Sequence, residues 1–181
     1  MKVLLHMCCG PCSIAPVKYL RAHNLDIEGY FYNPNIHPYK EFQRRLDTLR
    51  EYAAAEELPL TADDDYALEN FLRGVVNKES ARCPYCYEIR LRAVARKAKE
   101  CGADAFSTTL LVSPYQNHAQ IKAIGETVAR EEGIPFYYAD YRPGWQEAVS
   151  ESRRRAMYRQ PYCGCIYSEK DRYYKPRKEK S

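Results

Sequence analysis

Short apolar runs alternate with amphipathic stretches along most of this 181-residue chain. Val3–Met7, Ile27–Tyr32, Leu60–Ala62, Ala105–Val112 and Ile134–Ala139 read as strands by length and by their Val, Ile, Leu, Thr and Tyr content. Between them lie stripes at helical spacing: Ile14, Val17 and Leu20; Phe42, Leu46, Leu49 and Ala53; Tyr87, Leu91, Val94 and Ala98; Ile121, Ile124 and Val128. Tyr66–Val76 reads as a further helix, with Asp63–Asp65 as its cap, and Ser113-Pro114 as the start of the helix carrying Ile121. Gly102 and Gly133 are expected to stop helices. Such alternation dictates βαβ units with right-handed crossovers, hence an α/β fold with a doubly wound, mostly parallel sheet. After Asp140 the pattern changes to a helix from Gly144-Trp145 and a basic end. The expected organisation is one α/β domain over residues 1–168 and a basic tail over 169–181.

A parallel sheet of this kind puts all carboxyl ends of its strands on one edge, where ligands bind. That edge collects Cys8/Cys9, Asn33–His37, Asp63–Asp65, Ser113–Tyr115 and Asp140. Three of the chain's 8 cysteines fall in Cys8-Cys9-Gly10-Pro11-Cys12-Ser13, directly after the first strand. Cys83-Pro84-Tyr85-Cys86 opens a helix, where the positive helix end favours deprotonated thiols, and Cys163-Gly164-Cys165 is a third group. Cys101 closes a helix on the opposite edge and reads as structural.

The amino end carries one lysine and an apolar run broken by His6, too short for a signal peptide, and no stretch approaches a membrane span. The expected location is therefore the cytoplasm, with no membrane partner. In a reducing compartment, clustered cysteines bind metal or do redox chemistry more often than they staple the fold. Adjacent Cys8 and Cys9 diverge from a single small ion and suit a larger iron–sulfur cluster, whereas Cys83 and Cys86 fit either a cluster or half of a zinc site. Cys163-Gly-Cys165 would close a strained, easily reduced ring as a disulfide, or bind a metal as a dithiol. His37, Tyr115 and Asp140 lie on the same edge as candidate proton donors. His6, inside the first strand, reads as a satisfied core histidine.

No glycine-rich dinucleotide fingerprint, phosphate-binding loop or ATP-pyrophosphatase loop follows the first strand, so nucleotide chemistry is unsupported. Net charge is +4, but residues 142–181 hold eleven Lys/Arg against five Asp/Glu. A basic end of this kind points to a polyanion. The residues alone therefore leave open a redox metalloenzyme, a zinc-stabilised nucleic-acid-binding module and a metal-free thiol–disulfide oxidoreductase.

Six stretches decide among these by resemblance: His6-Met-Cys-Cys-Gly-Pro-Cys-Ser13, Asn33-Pro-Asn-Ile-His-Pro38, Arg82-Cys-Pro-Tyr-Cys-Tyr87, Ser107-Thr-Thr-Leu-Leu-Val-Ser-Pro-Tyr-Gln116, Asp140-Tyr-Arg-Pro-Gly-Trp145 and Arg159-Gln-Pro-Tyr-Cys-Gly-Cys165. In order and spacing the chain resembles the epoxyqueuosine reductase family of the QueH type. The resemblance implies a fold like that of the adenine nucleotide α-hydrolases (HUP-like). It implies reduction of epoxyqueuosine in tRNA to queuosine, the last step of queuosine biosynthesis, with a [4Fe-4S] cluster and iron dependence. The partners it implies are the tRNA anticodon loop and an external electron donor. Carried over by position, Cys8, Cys9, Cys83 and Cys86 are the cluster ligands. Cys163 and Cys165 become a redox-active pair or ligands to an additional iron ion.

Overall fold

The computed structural model describes residues 1–175. Four parallel strands, β1 (Lys2–His6), β2 (Asp26–Phe31), β3 (Leu60–Ala62) and β4 (Ala105–Thr108), lie in the order β3-β2-β1-β4. Leu5 stands opposite Gly29 on one side and Ser107 on the other, so β1 is the central strand at which the winding direction reverses. The helices are α1 (Gly10–Ala22), α2 (Tyr39–Ala55), α3 (Leu68–Val75), α4 (Arg82–Glu100), α5 (His118–Glu132), α6 (Trp145–Arg154) and α7 (Ile166–Tyr173). Helices α1, α2 and α6 pack together, and α4 packs with α5 against β1 and β4. This is the doubly wound arrangement, and Leu4, Leu5, Ile14, Leu20, Phe31, Leu49, Leu91, Val94 and Phe106 are buried between its layers. None of the described helices is long and apolar enough to cross a membrane.

The strand expected at Ile134–Ala139 is reduced to one parallel bridge between Phe106 and Phe136. The Phe106 N–H donates to Pro135 O, and the Tyr137 N–H to Phe106 O. Pro135 has no N–H to extend the ladder, and its neighbour stops early. β4 ends at Thr108, whose Oγ1 accepts from the Leu110 N–H and starts a 3₁₀ turn over Thr109–Val112, within the run expected to be strand. Two helix starts also differ. Helix α5 is capped by Asn117, whose side chain accepts from the Gln120 N–H at 3.1 Å, while Ser113 closes a local turn onto the Tyr115 N–H. Asp63 likewise bonds the Asp65 N–H, and α3 begins at Leu68 without a side-chain cap. Replacing Asn117 with alanine should lower stability by about 1 kcal/mol in urea unfolding, because one orphan amide loses its partner; an unchanged midpoint would show the cap to be idle.

Cys9, in extended conformation, is the N-cap of α1, so Gly10-Pro11-Cys12-Ser13 form the helix's first turn. Gly10 is required there: a Cβ would lie 2.6 Å from Met157 Cε and 3.0 Å from Thr48 O. The helix start is thereby pressed against α2 and the carboxyl-terminal segment, which brings distant cysteines to one place.

Candidate metal centre

The sulfurs of Cys8, Cys9 and Cys12 lie within 4.8 Å of one another, and all three residues are buried. Cys8 Sγ and Cys9 Sγ are 3.9 Å apart. Thr109 Oγ1 donates to Cys8 Sγ at 3.4 Å, and the Gln160 amide straddles the other two, with Nε2 3.1 Å from Cys12 Sγ and Oε1 accepting from Cys9 Sγ at 3.2 Å. Hydrogen bonds from Cys12 and Cys9 hold the Cys8 thiol well below its ordinary value. Burial pushes Cys9 up, and the same shared contacts raise Cys12.

Four further thiols line a cavity of about 20 Å³. Cys83 and Cys86 come from the first turn of α4, and Cys163 and Cys165 from the segment between α6 and α7. Cys83 and Cys163 are exposed at its mouth; Cys86 and Cys165 are buried. Gln116 reaches Cys163 Sγ with Nε2 at 3.2 Å and is fixed by the Tyr87 hydroxyl at 2.6 Å. Here burial outweighs the helix end: it raises Cys83 and pushes Cys86 up to about 12. A metal would replace those protons.

The Cys163-Gly-Cys165 turn is anchored from α2 and the loop before it. Arg45, buried and paired with Glu41 Oε1 at 2.7 Å, donates to Cys163 O at 2.8 Å and Tyr162 O at 3.0 Å. The His37 N–H donates to Gly164 O at 2.9 Å. Gly164 adopts φ +150°, and a Cβ there would meet Asn35 Nδ2 at 3.0 Å, so only glycine fits the turn.

A family model described as epoxyqueuosine reductase QueH matches residues 3–171. The epoxyqueuosine reductase QueH of Dehalococcoides mccartyi is 36% identical over 175 residues, spanning 97% of this chain and 96% of that protein. That of Thermotoga maritima is 34% identical over 176 residues, spanning 92% and 89%. The chain belongs to the epoxyqueuosine reductase QueH family. It is therefore placed among oxidoreductases. A solved structure titled as a predicted subunit of a tRNA methyltransferase from Methanocaldococcus jannaschii shares the fold, with TM-score 0.54 and 11% identity over 84% of this chain and 76% of that one.

Within this QueH-family site the three expected proton donors are placed differently. His37 is buried with both ring nitrogens engaged: Nε2 lies 3.0 Å from Pro34 O, and Nδ1 accepts from the Ile166 N–H at 3.3 Å. A ring that accepts at Nδ1 and donates from Nε2 is the neutral Nε2–H tautomer, and it holds α7 to the loop; burial also lowers its proton affinity. Asp140 accepts three hydrogen bonds from Arg142, which hold its carboxyl at about 2, and it lines a separate cavity of about 300 Å³ with Lys18, Tyr141 and Glu147. Tyr115 is 86% exposed and packs edge-on to Trp145. His6 is a core histidine with Nδ1 3.0 Å from Thr108 Oγ1, kept neutral by burial and by Arg90, which lower it to about 3. Cys101 sits at the far end of α4, beside Lys2.

Sequence reasoning passed over Arg45, Arg90, Gln116 and Gln160. Two of them carried a signal. Arg45 occupies the apolar stripe of α2 between Phe42 and Leu49, where a charged residue needs a reason, and Arg90 lies one helical turn after Cys86.

Proposed function

We propose that this chain reduces epoxyqueuosine in tRNA to queuosine at an iron–sulfur centre. The observation that supports it is the clustering of seven thiols in two groups, Cys8, Cys9 and Cys12 in one and Cys83, Cys86, Cys163 and Cys165 in the other, in a chain of a reductase family. The residues present fit such a group. The donors are all sulfur, and two buried polar atoms beside the four-thiol cavity, Asn35 Oδ1 and Arg82 Nε, have no partner, as a wall built to face something does. Cys8, Cys9, Cys83 and Cys86 would hold a [4Fe-4S] cluster, whose chemistry is electron transfer one at a time.

The overall change converts an epoxide, two electrons and two protons into an alkene and water. Oxidation of the Cys163/Cys165 dithiol to a disulfide releases two electrons and two protons, which balances it; an external donor then restores the dithiol. The alternative role for this pair is to bind an additional iron. Helix α4 and the anchored turn position the thiols, while buried Phe71 and Tyr87 keep bulk water from the inner wall.

Metal analysis after anaerobic purification tests the reading. Brown protein with iron and sulfide is expected; colourless protein holding only zinc would sink it and leave the nucleic-acid-binding module. Protein without metal would favour a thiol–disulfide oxidoreductase.

The substrate base lies in an anticodon loop, so a basic surface must accompany the centre. Helix α7 starts at Cys165 and carries Lys170 and Arg172, followed by exposed Tyr173, Tyr174 and Lys175. It runs across the expected domain boundary at Ser168, and Asp171 pairs with Arg82 beside Cys83. Arg177, Lys178 and Lys180 lie outside the described residues. Arg155 is taken up by Glu56 and Glu151, leaving Arg153 and Arg154 exposed at the end of α6. Changing Lys170, Arg172 and Lys175 to glutamine should weaken tRNA binding and flatten its salt dependence by about one unit of slope per phosphate contact, with iron content unchanged. Equal affinity and slope across a salt titration would move the footprint to Arg153 and Arg154. The proposed location is the cytoplasm, where a tRNA substrate would be met.

A further inference from the structure

Arg90 is 2% exposed, yet among the described residues no carboxylate lies within ion-pairing distance of it. Its partners are all uncharged or sulfur. Nη2 donates to Asn33 Oδ1 at 2.8 Å, Nε to His6 Nε2 at 3.3 Å, and Nη1 points to Cys86 Sγ at 3.8 Å. His6 cannot share the charge, since it is neutral, and Asn33 is fixed by its own bond from Nδ2 to Met7 O at 2.9 Å. The contrast with Arg45 is informative. That residue is equally buried but carries its counter-ion, Glu41, and serves as a strut.

A bare guanidinium removed from water is unstable unless an anion compensates it. Among the described residues, sulfur is the only anionic chemistry at hand. Arg90 links the two groups of thiols, on the helix of Cys86 and against His6, the last residue of β1, two residues before Cys8.

We infer that Arg90 is the positioning residue that supplies the fixed positive charge of the sulfur centre and raises its reduction potential. The inference rests on the proposed iron–sulfur function. Reduction adds one negative charge to a centre that is already anionic, so a cation held beside it in a low-dielectric setting favours the reduced form. Asn33 sets the strength of the effect by leaving that cation unneutralised.

The test is a mediated optical redox titration of anaerobically prepared, iron-loaded protein, with iron and sulfide counted in the same samples. Arg90→Gln removes the charge. Asn33→Asp keeps the arginine and neutralises it in place, so it carries the test if the glutamine variant does not fold. Arg90→Lys keeps the charge. The midpoint should fall in Arg90→Gln and Asn33→Asp and stay near wild type in Arg90→Lys. Equal midpoints in all iron-loaded variants, or an equal fall in the lysine variant, would overturn the role of the charge and leave the function standing. Wild-type protein without iron would overturn the functional reading, and this inference with it.

Discussion

Serine at both Cys83 and Cys86 is expected to strip the protein of most of its iron and visible absorbance and to reduce turnover to background. Both thiols leave from the start of one helix, and the serine hydroxyls that replace them stay protonated and cannot act as charged ligands. Serine at Cys8 or Cys9 alone should also lower bound iron. Cys101→Ser is the control and should change nothing, because that thiol lies at the other end of α4 against Ala98 O. Cys12 is the informative case: it stands with Cys8 and Cys9 but is held by Gln160. Retained iron in Cys12→Ser is expected if four ligands suffice; loss would bring Cys12 into the set. Full iron in the Cys83/Cys86 double variant would remove these residues from the centre.

The second large effect concerns the turn after α6. Replacing Cys163 and Cys165 together with serine should abolish turnover while most of the iron remains, if the two thiols supply electrons and protons as proposed. The backbone that carries them is fixed independently by Arg45 and His37, so serine should leave the turn in place. Loss of all iron would make the pair primary ligands. Retained turnover would show that electrons arrive by another route. Iron counts and single-turnover product yields on one preparation separate the three outcomes.

The sheet was legible because two of its runs, Val3–Leu5 in β1 and Ala105–Phe106 in β4, are buried and apolar; β1, β2 and β3 fall within a residue of their expected limits. Where the reading failed, local hydrogen bonding outcompeted propensity. Thr108 and Asn117 use their side chains to turn the backbone, and Pro135 denies the ladder a donor, none of which periodicity registers. The cysteines announced the site through spacing alone, but not which would share a wall. That Cys163 and Cys165 meet Cys83 and Cys86 depends on Arg45 and Gly164, whose partners are more than a hundred residues distant in sequence. The proton donors were the least legible, since a residue on the right edge can be tied into the scaffold, as His37 is, or turned to solvent, as Tyr115 is.

The central claim is that this chain removes the epoxide oxygen from epoxyqueuosine in tRNA. The measurement that bears on it most directly is a reaction of iron-loaded protein, a reductant and tRNA carrying epoxyqueuosine, followed by digestion and mass analysis of the nucleosides. The account predicts conversion to a nucleoside lighter by one oxygen atom, dependent on Cys163 and Cys165. Unchanged epoxyqueuosine with fully iron-loaded, reduced protein would contradict it.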